Sequence, residues 1–124
     1  MTNREKIDLL NEIAYEFGTA NYQRIKGNEE RVSMHVEAAR ALVRFARNNK
    51  FDPTIYRTND GEIYACLEAE INNKKVFVWI TSCNIARDNE TMNIVTEEIK
   101  AWHDVGEKCY YINCHDTLTE WTIA

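Results

Sequence analysis

The chain reads as a single α+β domain built in the order helix, helix, three strands, helix, strand (ααβββαβ), with a mixed, mostly antiparallel four-stranded sheet packed by three helices. Three observations predict this. Residues 62–82, EIYACLEAEINNKKVFVWITS, alternate like two long strands joined by the pair Asn72-Asn73. Apolar residues recur at helical spacing in three other segments, two before the strands and one after them. Single glycines, one proline and Asn/Asp clusters separate these segments as turn chemistry would.

The strand pair is the organising element. Two-residue loops favour turns with positive φ at both central positions, and Asn tolerates that better than most non-Gly residues. Such a loop also sets the register. One face then pairs Ala69 with Val76, Leu67 with Val78 and Ala65 with Ile80. The other pairs Glu70 with Lys75, Glu68 with Phe77, Cys66 with Trp79 and Tyr64 with Thr81. The first face is wholly apolar and is the predicted core face. The second carries an ion pair at the turn end and three aromatics, Tyr64, Phe77 and Trp79, which are either covered by a helix or left open to a partner. A sheet with helices on both sides predicts cover.

Before this pair, Thr2 and Glu5 form a T-x-x-E capping box ahead of Ile7, Leu10, Ala14 and Phe17 on one helical face. Gly18 is the expected break, with a further turn over 20–25 before Gly27. Glu5, Asp8, Glu12 and Glu16 line the opposite, solvated side. Asn28 caps a second helix, with Glu29 and Glu30 suited to its dipole. Val32, Val36, Ala39, Val43 and Ala46 make its apolar stripe, and His35, Ala38, Leu42 and Phe45 widen it, so a largely buried helix is expected. Arg40, Arg44 and Arg47 form a basic ridge along it, available to pair with the acidic first helix, to touch phosphate or to be solvated.

Pro53 ends that helix. Residues 54–58 read as a short strand, and Asn59-Asp60-Gly61 as a hairpin turn. After the long hairpin, 84–89 reads as a polar loop, and Asp88 or Asn89 as the cap of a third helix with Met92, Val95, Ile99 and Trp102 on its apolar side. Gly106 stops it. Residues 109–114, CYYINC, form the fourth strand, and 118–124 are a tail that adds an edge strand or packs through Trp121. The domain thus divides into an N-terminal helical segment (1–27), an αβββαβ core (28–114) and a tail (115–124).

At 124 residues and 44 % hydrophobic, the chain can bury a real core in one unit. Its formal charge of −5 argues against a general nucleic-acid or anionic-membrane binder. No apolar run approaches the roughly eighteen residues of a membrane span, and the charged start MTNREKIDLL does not resemble a secretory signal, so a cytoplasmic location is expected. In that reducing setting Cys66, Cys83, Cys109 and Cys114 read as thiols acting as small hydrophobes.

No motif carries chemistry. Cys83, Cys109, Cys114 and His115 lack the paired spacing of a zinc site. The dipeptides His103-Asp104 and His115-Asp116 have no helical bundle around them to make a phosphohydrolase. His35, on an apolar helical face, reads as a hydrogen-bonded core histidine. Phosphate loops and dinucleotide fingerprints are absent. Neither a metal nor a cofactor is expected.

From the second helix onward the order of elements, together with the strand KKVFVWITS, resembles the restriction-endonuclease-like nuclease fold over about residues 30–114. That resemblance implies an acid on the second strand and a Glu-x-Lys on the third, holding a metal that activates water. Here Trp79 stands at the Glu position and Thr81 at the Lys position, and Glu68, with Glu70, is left as the acid. The resemblance therefore implies a catalytically degenerate member. Helix, three strands, helix is also the double-stranded-RNA-binding arrangement, but Glu90, Glu97 and Glu98 occupy a helix where that family carries lysines.

The function expected is a small non-catalytic protein that binds another protein. A compact, acidic, motif-free chain also suits a phage or mobile-element inhibitor of a host defence nuclease. Its expected contacts are Tyr64, Phe77 and Trp79, with Glu5, Glu12 and Glu16 mimicking phosphates against a basic cleft. The alternative is a nuclease-like nucleic-acid binder or divergent metal-dependent nuclease, using Arg40, Arg44 and Arg47. Self-association through sheet edges is a third outcome.

Overall fold

Asn72 and Asn73 both have positive φ, 53° and 62°, and the two-residue turn they make joins the two longest strands. The computed structural model describes residues 1–80 and 85–122, with the backbone alone for 85–91. The elements run α1 (Asn3–Ile25), α2 (Glu29–Asn48), β1 (Thr54–Arg57), β2 (Tyr64–Ile71), β3 (Lys74–Trp79), α3 (Ile85–Asp104), β4 (Cys109–Ile112) and β5 (Leu118–Trp121). The fold is α+β, with three helices and a mixed sheet in the order β1-β2-β3-β4-β5. All neighbours pair antiparallel except β3 and β4, which are parallel because α3 carries the chain back between them.

The sheet has five strands, not four. Asn113 turns the chain after β4: its side chain accepts from the backbone N–H groups of His115 and Thr117, with Asp116 at φ 57°. Leu118 to Trp121 then pairs along β4, from Ile112 with Leu118 to Cys109 with Trp121. Of the two outcomes expected for the tail, an edge strand or packing through Trp121, it takes the strand, and β4 supplies the edge it pairs with.

Residues on β2 and β3 pair as the tight turn dictates: Ala69 with Val76, Leu67 with Val78, Glu68 with Phe77, Cys66 with Trp79. Leu67, Ala69, Val76 and Ile80 face α1 and α2, in one core with Ile7, Leu10, Ile13, Phe17 and the α2 stripe Val32, Val36, Ala39, Val43, Ala46. Cys66 and Phe77 face the other way, against Val95 and Ile99 of α3 and Cys109 of β4. The sheet is thus a middle layer with a helical layer on each side.

Tyr64 departs from this alternation. Tyr56 pairs with Cys66 but Arg57 pairs with Tyr64, so Ala65 is an extra residue on β2, a β-bulge. The bulge swings Tyr64 to the α1 side, where its ring stacks on Phe17 at 4.1 Å with Arg57 over it at 4.6 Å. Tyr64 therefore does not share a face with Phe77 and Trp79. Its expected partner Thr81 lies outside the described residues. Buried Asn21 secures the position: its side-chain amide donates to the Tyr64 carbonyl at 2.9 Å and its carbonyl accepts from the Tyr64 N–H at 2.9 Å.

Three helical expectations are corrected. α1 runs unbroken through Gly18 and ends only before Gly27, at φ 78°. One helical glycine costs about 1 kcal/mol against alanine, less than the burial of Phe17, Ala20 and Asn21 around it returns. α3 begins at Ile85, so Asp88 and Asn89 lie inside it. Ile85 and Ala86 are followed by five polar residues, Arg87 to Thr91, so the start of the helix shows no apolar period and reads as loop. α2 is not largely buried: Ala38 and Phe45 are exposed, and His35 and Leu42 half-buried. No helix among the described residues is long and apolar enough to cross a membrane.

Loss of the Asn21 side chain strips partners from two buried backbone groups of the sheet, the Tyr64 N–H and carbonyl. Asn21→Ala is expected to cost about 3 kcal/mol in urea unfolding, from unsatisfied buried polar groups. Asn21→Asp, which can accept but not donate, should retain part of the stability.

Candidate functional site

The α3 side of the sheet holds the two features from which a site can be built. The first is a buried carboxylate. Register puts Glu68 on the same face as Cys66 and Phe77, between β1 and β3. Tyr56, from β1, donates its hydroxyl to Glu68 Oε2 at 2.5 Å. Lys75 Nζ stands 3.2 Å from Glu68 Oε1 and 4.0 Å from the Trp102 ring centroid. Lys75 opposes Glu70 in the ladder, yet its ammonium leans to Glu68, where a buried carboxylate and an indole face both favour it.

Both oxygens of Glu68 are thereby engaged within the protein. Burial first, and then the hydrogen bond to Glu68, push the Tyr56 phenol far above its ordinary value, so it remains a donor at any physiological pH. Trp79, cross-strand from Cys66, brings no second carboxylate. Among the described residues no group of three His, Cys, Asp or Glu side chains could hold a metal ion. The arrangement is an ion pair closed by a tyrosine, without the several open oxygens that magnesium requires.

The second feature is a groove of about 450 Å³ between α3 and strands β3 to β5, lined by Phe77, Val78, Trp79, Met92, Tyr111, Ile112 and Trp121. Phe77 is fully buried and forms its floor. Tyr111 is 37 % exposed and meets Trp121 edge-on at 5.5 Å. Trp79 and Trp121 are half-buried. Of the expected aromatic contacts, Trp79 and Phe77 thus belong to this groove and Tyr64 lies across the sheet. Tyr111 and Trp121 were not among them. Tyr111 is on β4, which joins β3 in parallel, and Trp121 on β5, which pairs antiparallel with β4, and the parallel pairing has no local sequence signature.

The acidic and basic candidates are on the opposite side, on α1 and α2. Glu5 accepts from the Thr2 N–H at 3.1 Å and closes the capping box, which holds its carboxyl below the ordinary carboxylate value. Glu16 bonds Nδ1 of His35 at 2.8 Å, tying α1 to α2. Glu12 is exposed. Arg47 pairs with Asp52 at 2.8 Å, while Arg40 and Arg44 are exposed. The three arginines do not converge with the acids of α1 on one site.

Among the described residues, the cysteines and His115 make no group that could hold a metal ion. Cys66 and Cys109 are buried under α3, Cys114 is exposed, and Cys83 lies outside the described residues. Burial, with the charges of Glu98 and Glu68 adding to it, pushes the Cys66 thiol up to about 12, and burial likewise pushes Cys109 to about 11. Such thiols are protonated and inert at neutral pH.

Two outcomes follow from this geometry. The folded thiols keep protons that an unfolded chain releases near their ordinary value of 9, so their contribution is intact below pH 9 and falls as pH rises toward 12. Urea unfolding should show that loss, each thiol adding at most about 1.4 kcal/mol per pH unit, and Cys66→Ala should make the slope shallower. Glu68→Ala, which leaves the Lys75 ammonium and Tyr56 hydroxyl without their acceptor, should cost about 3 kcal/mol, with no dependence on added magnesium. No protein-family model, curated protein or solved structure matches the chain.

Proposed function

We propose that the chain is a small non-catalytic protein that works by binding another protein, in the concrete form of a phage or mobile-element inhibitor of a host defence nuclease. The observation that carries the binding reading is the groove under α3, where Trp79, Tyr111, Trp121 and Met92 gather around buried Phe77. Aromatic residues and methionine in a concave, partly desolvated setting are the anchor types of protein interfaces. The charge of −5 and the exposed Glu12 of α1 support a basic partner, such as the cleft of a nuclease.

The same geometry supports the non-catalytic half of the reading. Glu68, the acid that the nuclease-like resemblance singles out, has its two oxygens on Tyr56 and Lys75. The order helix, three strands, helix, strand is retained from α2 through β4, which supports a core of that arrangement used as a scaffold.

Affinity capture from the native host tests the proposal, comparing the wild-type chain with Tyr111→Ala. A partner held through the groove should lose about 2 kcal/mol, roughly thirty-fold in Kd. Its complex should weaken further as salt rises, if the α1 acids take part. Plasmid cleavage with magnesium or manganese that disappears on Glu68→Ala would overturn the reading.

A further inference from the structure

Directly opposite its core stripe, α2 carries a second apolar stripe that no described residue covers. Met34, Ala38, Ala41 and Phe45 recur at steps of four, three and four residues, so they line one side of the helix. All four are exposed, Met34 by 61 % and Phe45 by 53 %. Beside them on the α1 flank stands Tyr15, 70 % exposed, which shares a hollow with half-buried Leu42. An apolar strip some 16 Å long, at 1.5 Å per residue, is far more than scattered surface hydrophobics.

We propose that this stripe docks on the same stripe of a second copy of the chain, the two α2 helices crossing antiparallel about a two-fold axis between Ala38 and Ala41. The order of side-chain sizes is palindromic: large, small, small, large. Antiparallel pairing about that axis sets Met34 against Phe45 of the second copy and Ala38 against its Ala41. Two alanines at the crossing point let the backbones approach. The bulky residues then stand where crossed helices diverge and the gap is wider.

The charges beside the stripe have the same symmetry. Glu37 and Arg44 are both exposed, on the flank away from α1, and no ion pair among the described residues takes either. The axis brings Glu37 of one copy within reach of Arg44 of the other, twice over. Parallel pairing would instead carry this flank of the two copies to opposite sides of the helix pair, leaving Glu37 and Arg44 without each other. Because an isologous interface requires a surface that complements itself, this match of size and charge favours a second copy over an unrelated protein. The α2 stripe and the aromatic groove lie on opposite sides of the sheet, so this inference is independent of the partner bound there.

Sedimentation velocity of the purified full-length chain, from micromolar to near-millimolar concentration, tests it. The wild-type chain should dimerise. Phe45→Glu and Ala41→Glu should each weaken the dimer at least about tenfold. Both positions are exposed, so thermal melting followed by circular dichroism, at a concentration where the wild-type chain is monomeric, should be unchanged. Glu37→Arg and Arg44→Glu should each weaken the dimer, and the two together in one chain should restore it. A monomer at every concentration would overturn the proposal, as would a dimer indifferent to Phe45→Glu and Ala41→Glu, or a double charge variant no tighter than the single ones.

Discussion

The turn at Asn72 and Asn73 constrains every pairing along β2 and β3, and through them the division of the molecule into two cores. A strand's side chains alternate, so one residue of slip would exchange the two faces of the hairpin. Leu67, Ala69 and Val76 would then point to α3, and Glu68 and Lys75 into the packing of α1 and α2. Two residues able to hold positive φ prevent this. The location of the buried carboxylate, the aromatic groove and the exposed helices all follow from that register.

A second constraint modifies the first. The extra residue Ala65 reverses the direction of Tyr64, and Asn21 accepts and donates at the Tyr64 backbone, so α1 is tied to the sheet at the one place where β2 breaks its own alternation. The Tyr64 ring then packs on Phe17 instead of lining the α3 side. The groove is left to Trp79, Tyr111 and Trp121 over Phe77, with no aromatic from β2 among them.

Much of this was legible residue by residue. The T-x-x-E box, the Asn28 cap, the stripe from Val32 to Ala46 and the hairpin partners each rest on interactions within a few residues or on a two-residue loop, and each was readable. The continuity of α1 through Gly18 and the early start of α3 were not, because propensity is weak beside the packing that overrides it. The Lys75 contact with Glu68 rather than Glu70 was hidden for a similar reason: cross-strand register names the nearest residue, whereas burial and the Trp102 ring choose the favoured one. Breadth of the apolar pattern on α2 misled in the other direction. It counted Ala38 and Phe45 as core, yet a helix lying on a sheet buries one side, and they are on the other.

By itself the sequence determined the class of fold, the order of its elements through β4 and the partners along the hairpin, since period and turn chemistry are local properties of the chain. Only the tertiary structure decided that the tail completes the sheet as β5, that Tyr64 leaves its neighbours at a bulge, and that the aromatics lining the groove come from three separate strands. These depend on segments meeting across long stretches of chain, where the deciding quantity is the area that each arrangement buries and the polar groups it satisfies.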